Sequence, residues 1–389
     1  MSPCKHLWLA LSLAVLVVAA AVPTRAVGAP APTPELSLPS ALALLPDTPA
    51  VRAAGVWYNN YLRAARAYNV SGTVGISGAV GISGAVGISG TSVRNYFQAI
   101  LPLRPGPETG VTDVVNGRWR QAYGYNLFQI TGEIYSSSGG FAVCDKPPGS
   151  PGGGSNYPLA VTVGDLDATV IDRALAARNY LGTHTVGSRD SLFVRSPVLL
   201  NVNARGAIMN ALLPGARRVI FGARPCDVGK AAELIADRTA TLAQDPGYAG
   251  LAAALGPTQG AYVAANVAPP PFALAPFPPP PGGHRGPALR PFGLYAVAYQ
   301  EPRQGEQYLE LGLAYARPAD ALADVPTLKA RLQHETLSIY GAPWRQLVTL
   351  VAPVVRGNVL VLRLRLAPAT PRTLWQDVVA EHALSLLSR

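Results

Sequence analysis

The sequence predicts a mixed α+β protein: two lobes of antiparallel sheet with helices on one face, split β-α-β-like in order, after an N-terminal helix. Three observations predict it. Residues 159–268 alternate short apolar runs with helical stripes, residues 292–389 do so again, and residues 269–291 between them are dense in proline and glycine. That middle segment has the composition of a polyproline II linker or a long surface loop. Two lobes are the expectation, and whether they share one continuous sheet is left open by the sequence.

Taken in order, residues 1–29 read as a signal peptide. Lys5 and His6 precede an uncharged run of Leu, Ala and Val that ends at Pro23, and small residues at Ala26 and Ala29 offer cleavage points, Ala26 the better because Pro30 makes an awkward first residue. The run is shorter than the ~20 apolar residues of a spanning helix. Residues 30–46 form a Pro/Ala-rich tether, and 47–158 hold the N-terminal helix, a hexapeptide repeat and a turn-rich region. Asp47 or Thr48 caps a helix over 51–68 with Pro49 in its first turn, and Val51, Ala54, Trp57, Tyr58, Tyr61 and Leu62 share one face of it. The unit Val-Gly-Ile-Ser-Gly then recurs three times over 73–90, too short for a solenoid and suited to an extended loop, a short ribbon or a sticky edge used in assembly. A strand is expected over 127–135.

In the first lobe, strands are expected at 159–163, 182–186, 191–195, 217–221 and 261–267. Helices are expected at 168–179, at 228–242 begun by Asp227, and at 247–255 after Asp245-Pro246. In the second, 293–299 and 307–315 make a hairpin, a helix over 319–335 is kinked or shortened by Pro326, and 346–354 and 359–366 make another hairpin. In the last strand Leu360, Leu362, Leu364 and Leu366 face one way and Arg363 and Arg365 the other, so one side is buried and one wet. Thr370-Pro371 opens a final helix whose stripe includes Leu374, Trp375, Val378, His382 and Leu386.

Composition narrows the function classes. With 49% hydrophobic and 14% charged residues in 389, the chain can build a core. The net charge is +10, carried mostly by arginines scattered without a basic run or aromatic interleaving. A nucleic-acid groove would concentrate them, so no nucleic-acid partner is expected; attraction to an acidic envelope polymer or an anionic surface is the sharper use of that charge. No segment after the leader is long and apolar enough to span a bilayer. Removal of the leader leaves Cys144 and Cys226, either a disulfide of an oxidising compartment or two separate buried thiols.

Chemistry-bearing motifs are mostly eliminated. Residues 222–230 imitate a phosphate loop, but six residues separate Gly222 from Gly229 where four are needed, and Ala231 stands where magnesium needs Ser or Thr. His334-Glu335 lacks a second His four residues on; Ser338 is there. No metal or cofactor is therefore expected. Asp165 and Asp167, with His184 in the next strand, are the catalytic candidates for a secreted hydrolase; the competing reading has one Asp capping the following helix and the other favouring its dipole. Arg363 and Arg365 are the binding candidates. The Leu45-Pro46-Asp47-Thr48-Pro49 opening and the repeated α+β units resemble exported bacterial proteins, a likeness over short stretches that implies no site. The reading that follows is an exported binding or scaffold module of the cell envelope or medium, with the hydrolase as its alternative.

Overall fold

Residues 35–389 cluster as one unit in the structure, a computed structural model. It describes residues 35–70, 90–103, 124–125, 127–138, 141, 144, 158–177, 180–184, 191–195, 210–213, 217–222, 224–266, 287–380 and 385–387. The signal peptide, the tether up to residue 34, repeat residues 73–89, residues 269–286 and His382 lie outside the described residues.

The chain enters through α1 (Leu38–Leu42) and α2 (Pro49–Ala54), which Thr48 caps as expected. The helix expected over 51–68 is instead two helices with a strand between them. Gly55 ends α2 at φ +72°, where a Cβ would lie 2.3 Å from the Tyr262 hydroxyl oxygen. β1 (Val56–Asn59) follows, and α3 (Tyr61–Ala67) resumes after the Asn60 cap. Trp57 and Tyr58, expected on one helical face, therefore point to opposite sides of a sheet, each into a different core. Two aromatic and one β-branched residue in four fit a fully buried strand, and that preference wins over helical spacing once glycine breaks the helix.

The further elements are α4 (Gly90–Ile100), β2 (Ile130–Ser136), β3 (Leu159–Gly164), α5 (Ala168–Ala176), β4 (Tyr180–His184), β5 (Ser191–Arg195), β6 (Asn210–Leu213), β7 (Arg218–Gly222), α6 (Pro225–Asp237), α7 (Pro246–Leu255) and β8 (Gly260–Ala265). After residue 286 come β9 (Phe292–Gln300), β10 (Tyr308–Tyr315), α8 (Pro318–His334), the short pair β11 (Thr336–Leu337) and β12 (Ala342–Pro343), α9 (Trp344–Leu347), β13 (Val348–Arg356), β14 (Val359–Leu366) and α10 (Leu374–Ala380). Helix α8 runs through Pro326. Pro326 and Leu322, whose carbonyl the proline leaves unbonded, are both exposed, so water can take that carbonyl.

Twelve strands form one antiparallel sheet in the order β13-β14-β10-β9-β8-β1-β2-β3-β7-β6-β5-β4. The mixed α+β class, with a large antiparallel sheet flanked by helices, is as the sequence predicts. The strands on either side of the proline-rich segment are direct neighbours: β8 and β9 pair from Gly260↔Tyr299 to Ala265↔Leu294. The helices cover both faces of this one sheet. Trp57, Tyr135, Tyr262, Val297 and Leu362 face a core closed by α3, α4, α5, α8 and α10; Tyr58, Ile134, Val263, Ala298 and Val361 face one closed by α1, α2, α6 and α7. Both faces of the central strands are apolar, so each needs a cover.

Cys144 and Cys226 form a disulfide with Cα atoms 5.7 Å apart. It ties the segment after β2 to the first turn of α6. Asp227 does not start that helix; it lies inside its first turn, buried, where it accepts from the Phe141 amide (2.9 Å) and pairs with Arg224. A bridge closing a loop of this length stabilises by roughly 4 to 5 kcal/mol on the chain-entropy account.

Candidate functional site

The site grows from the hairpin face of β10 and β14. Alternation along β10 turns Leu309, Leu311 and Leu313 into the core and leaves Tyr308, Glu310 and Gly312 on the other side. β14 obeys the same rule: its four leucines are buried as expected, with Arg363 half-buried and Arg365 exposed on the reverse. The antiparallel register sets Tyr308 opposite Arg365 and Glu310 opposite Arg363. On the far side of β10, Glu310 faces Ala298 of β9, and β13 places Thr349 beside Arg365 and Ala352 beside Arg363.

Within this grid the Arg363 guanidinium lies over the Tyr308 ring, 4.0 Å from its centroid, a cation–π contact. Its Nε is 3.8 Å from Glu310 Oε1, an ion pair without a hydrogen bond. Glu310 is only 4% exposed, and its Oε2, like Arg363 Nε, is buried with no hydrogen-bond partner. Burial pushes the Glu310 carboxyl up to about 7, against the pull of Arg363 and Arg356 in the other direction. Tyr308 donates its hydroxyl to Glu306 (2.6 Å). Arg356 sits opposite Val359 on the same face, exposed, with Nη1 3.4 Å from the carbonyls of Ala253 and Ala254 at the end of α7. At about 3.4 Å per residue, Arg365 and Arg363 stand ~7 Å apart and Arg356 ~14 Å further along. The result is a row of three cations whose middle member has a carboxyl that titrates near neutrality as its counter-charge.

The expected catalytic trio is not assembled. Asp167 caps α5, accepting from the amides of Thr169 (2.9 Å) and Val170 (3.3 Å). Asp165 is exposed just after β3. His184 ends β4, and β7, β6 and β5 stand between β3 and β4, so four strand spacings, about 19 Å, separate their backbones. Among the described residues no group of three His, Cys, Asp or Glu is placed to hold a metal. The hydrolase reading loses its cluster because the strand that follows Asp167 in sequence goes to the far edge of the sheet.

Another buried acid, Glu301, belongs to a closed network. Glu301 accepts from Tyr299 (2.7 Å), Tyr68 (3.1 Å) and the Gly305 amide (2.8 Å) and pairs with Arg372 (2.6 Å). A cavity of about 310 Å³ opens between α1, α3 and the end of α7, but its two charged groups, Glu35 and Arg63, are paired with each other. Among the described residues no helix is long and apolar enough to cross a membrane.

Sequence reasoning named Arg363 and Arg365 on this face and did not name Glu310 and Tyr308, which lie against Arg363. The alternation Tyr-Leu-Glu-Leu-Gly-Leu already puts Glu310 opposite the leucines. Its meeting with Arg363 depends on a register between strands more than fifty residues apart, for which the sequence carries no local signal.

The fold and this face together define the class: a mixed α+β protein built on one twelve-stranded antiparallel sheet with a basic patch on its C-terminal hairpin. Among solved structures, two crystal forms of TP0453 are similar to the chain. Form IV has 12% identity and a TM-score of 0.37 over 87% of this chain and 96% of that one; form I has 10% and 0.35 over 90% and 98%. At that level the likeness carries no property of TP0453 to this chain. No protein-family model matches the chain, and no curated protein does.

Proposed function

We infer that the chain is exported and acts outside the cytoplasm as a binding or scaffold module, meeting its partner through the sheet face of Arg363 and Arg365. Two independent features support export: the leader pattern of residues 1–29, and the Cys144–Cys226 bridge, a bond that persists in oxidising compartments. The observation that carries the face is the pair of buried polar atoms, Glu310 Oε2 and Arg363 Nε, that lack a hydrogen-bond partner inside the protein. Such atoms are costly where they are, and surfaces that keep them are candidates for contact.

The experiment is site-directed photo-crosslinking in the host or in envelope extracts. A benzophenone side chain replaces Arg365 in one variant and Lys329, exposed on α8 over the opposite face, in another. A discrete adduct from position 365 and none from 329 is the expected result. Equal labelling at both, or none at 365, removes this face as the contact surface.

A further inference from the structure

We propose that this face binds an extended anionic polymer and that protonation of Glu310 switches its affinity, because the carboxylate neutralises the central cation of the row and its protonated form does not. The proposal rests on the reading of the face given above and adds the ligand class and the regulation.

The geometry supports a linear polyanion. Arg365, Arg363 and Arg356 line one face at intervals of ~7 and ~14 Å along the strands, a span of about 20 Å that an extended chain of anions can follow. On the edge strand β13, Thr349, Ala352 and Val354 flank the row, Thr349 and Val354 exposed. The chain is basic, +10 over its full length and +8 without the leader's Lys5 and Arg25, which favours encounter with such a polymer.

The switch follows from what surrounds Glu310. On β14 it faces Arg363, with Arg365 beside it; on β13 the charge that reaches it is Arg356. On its own strand it has Tyr308, whose hydroxyl is engaged by Glu306. β9 sets Ala298 opposite Glu310, with Ala296 and Gln300 on either side of it on this face and no charged group among them, and α7 covers the neighbouring Gly312 with Leu251 and Leu255. The charges that act on Glu310 are those of Arg363 and Arg356, with Arg363 alone of the two within ion-pair distance, while the Glu306 carboxylate is held on the Tyr308 hydroxyl. With the carboxylate ionised, Arg363 offers little net charge to an incoming anion; with it protonated, the half-buried guanidinium stacked on Tyr308 keeps its full charge for one. A carboxyl held up to about 7 by burial makes this change across the neutral range. The protonated fraction rises about tenfold from pH 8 to pH 6, so the apparent affinity rises by at most about that factor.

The test uses the full mature chain and dextran sulfate, whose charge does not change over this range, with uncharged dextran of the same length as control. Binding is measured at fixed ionic strength between pH 6 and pH 8. For the wild type we expect binding to dextran sulfate only, severalfold tighter at pH 6. Glu310→Gln should bind at pH 8 as the wild type does at pH 6, and lose the pH dependence. Arg363→Ala/Arg365→Ala should bind at least about tenfold more weakly, while Lys329→Ala/Arg345→Ala, an equal loss of charge on the opposite layer, should not; thermal unfolding of each variant reports whether it is folded. If both double variants bind as the wild type does, the face itself is wrong. If only the arginine pair weakens binding but Glu310→Gln keeps the wild-type pH profile, the face stands and the switch is overturned. Binding to vesicles of anionic lipid with none to dextran sulfate would overturn the polymer as ligand.

Discussion

Glu310 is where one residue's position changes what the molecule does with pH. Its folded-state pKa, about 7, lies above the value of 4.5 for an exposed Glu. Between those two values the folded chain holds a proton that the unfolded chain has released. Its contribution is therefore full below pH 4.5 and is lost as pH rises to about 7, then stays level. A shift of that size corresponds to a loss on the order of 3 kcal/mol. Urea unfolding of the wild type at pH 5 and pH 8, compared with Glu310→Gln, checks this: the variant should remove most of the pH-dependent difference, and identical slopes for both proteins would refute it. Half of this was legible from the sequence, since alternation placed Glu310 on the arginine side. The other half, its desolvation under Arg363 and Tyr308, comes from cross-strand register and from α7 closing the face, which are non-local.

At the scale of elements, punctuation was more legible than periodicity. Asp245-Pro246 reads as a helix start, and Asp245 does accept from the Gly247 (2.7 Å) and Tyr248 (3.1 Å) amides while also holding Arg52 (2.6 Å). Arg52 in turn pairs with Asp47, so one cap fastens α2 to α7. Burial alone would raise the Asp245 carboxyl, but the Arg52 hydrogen bond and the two amides outweigh it and hold the group below the usual value of 3.8. That stabilisation is present above pH 3.8 and is lost as pH falls through the folded-state value. Asp245→Ala should cost about 1 to 2 kcal/mol at pH 7 and progressively less in acid, measured by chemical denaturation; a pH-independent cost would mean the carboxylate contributes only packing. Periodicity misled where Val-Trp-Tyr-Asn followed a capped helix: the spacing of Val51, Ala54, Trp57 and Tyr61 fits a helix, and only Gly55 marks the break. A glycine inside a helical pattern is weak evidence by itself; the close approach of Tyr262 that requires it comes from a strand two hundred residues away.

At the scale of the whole molecule, the sequence showed two α+β stretches and a proline-rich segment, and left open whether they make one sheet or two. The pairing of β8 with β9 joins them over six residue pairs. Both cores also cross that seam: Trp57 and Tyr262 from before the segment touch Trp375 and Tyr295 from after it, with ring centroids 5.6 and 6.0 Å apart. On the other face α7 packs on β9, β10 and β14, with Leu251 and Leu255 over Gly312. Unfolding either half alone would strip the edge of a central strand and expose apolar surface of both cores at once, each large side chain costing about 1.5 to 3 kcal/mol. Partial unfolding is therefore disfavoured, and calorimetry of the mature chain should show one transition whose van't Hoff and calorimetric enthalpies agree. Two resolved transitions, or a fragment ending near residue 268 that unfolds cooperatively by itself, would show instead that the seam between β8 and β9 is a contact between independently stable halves.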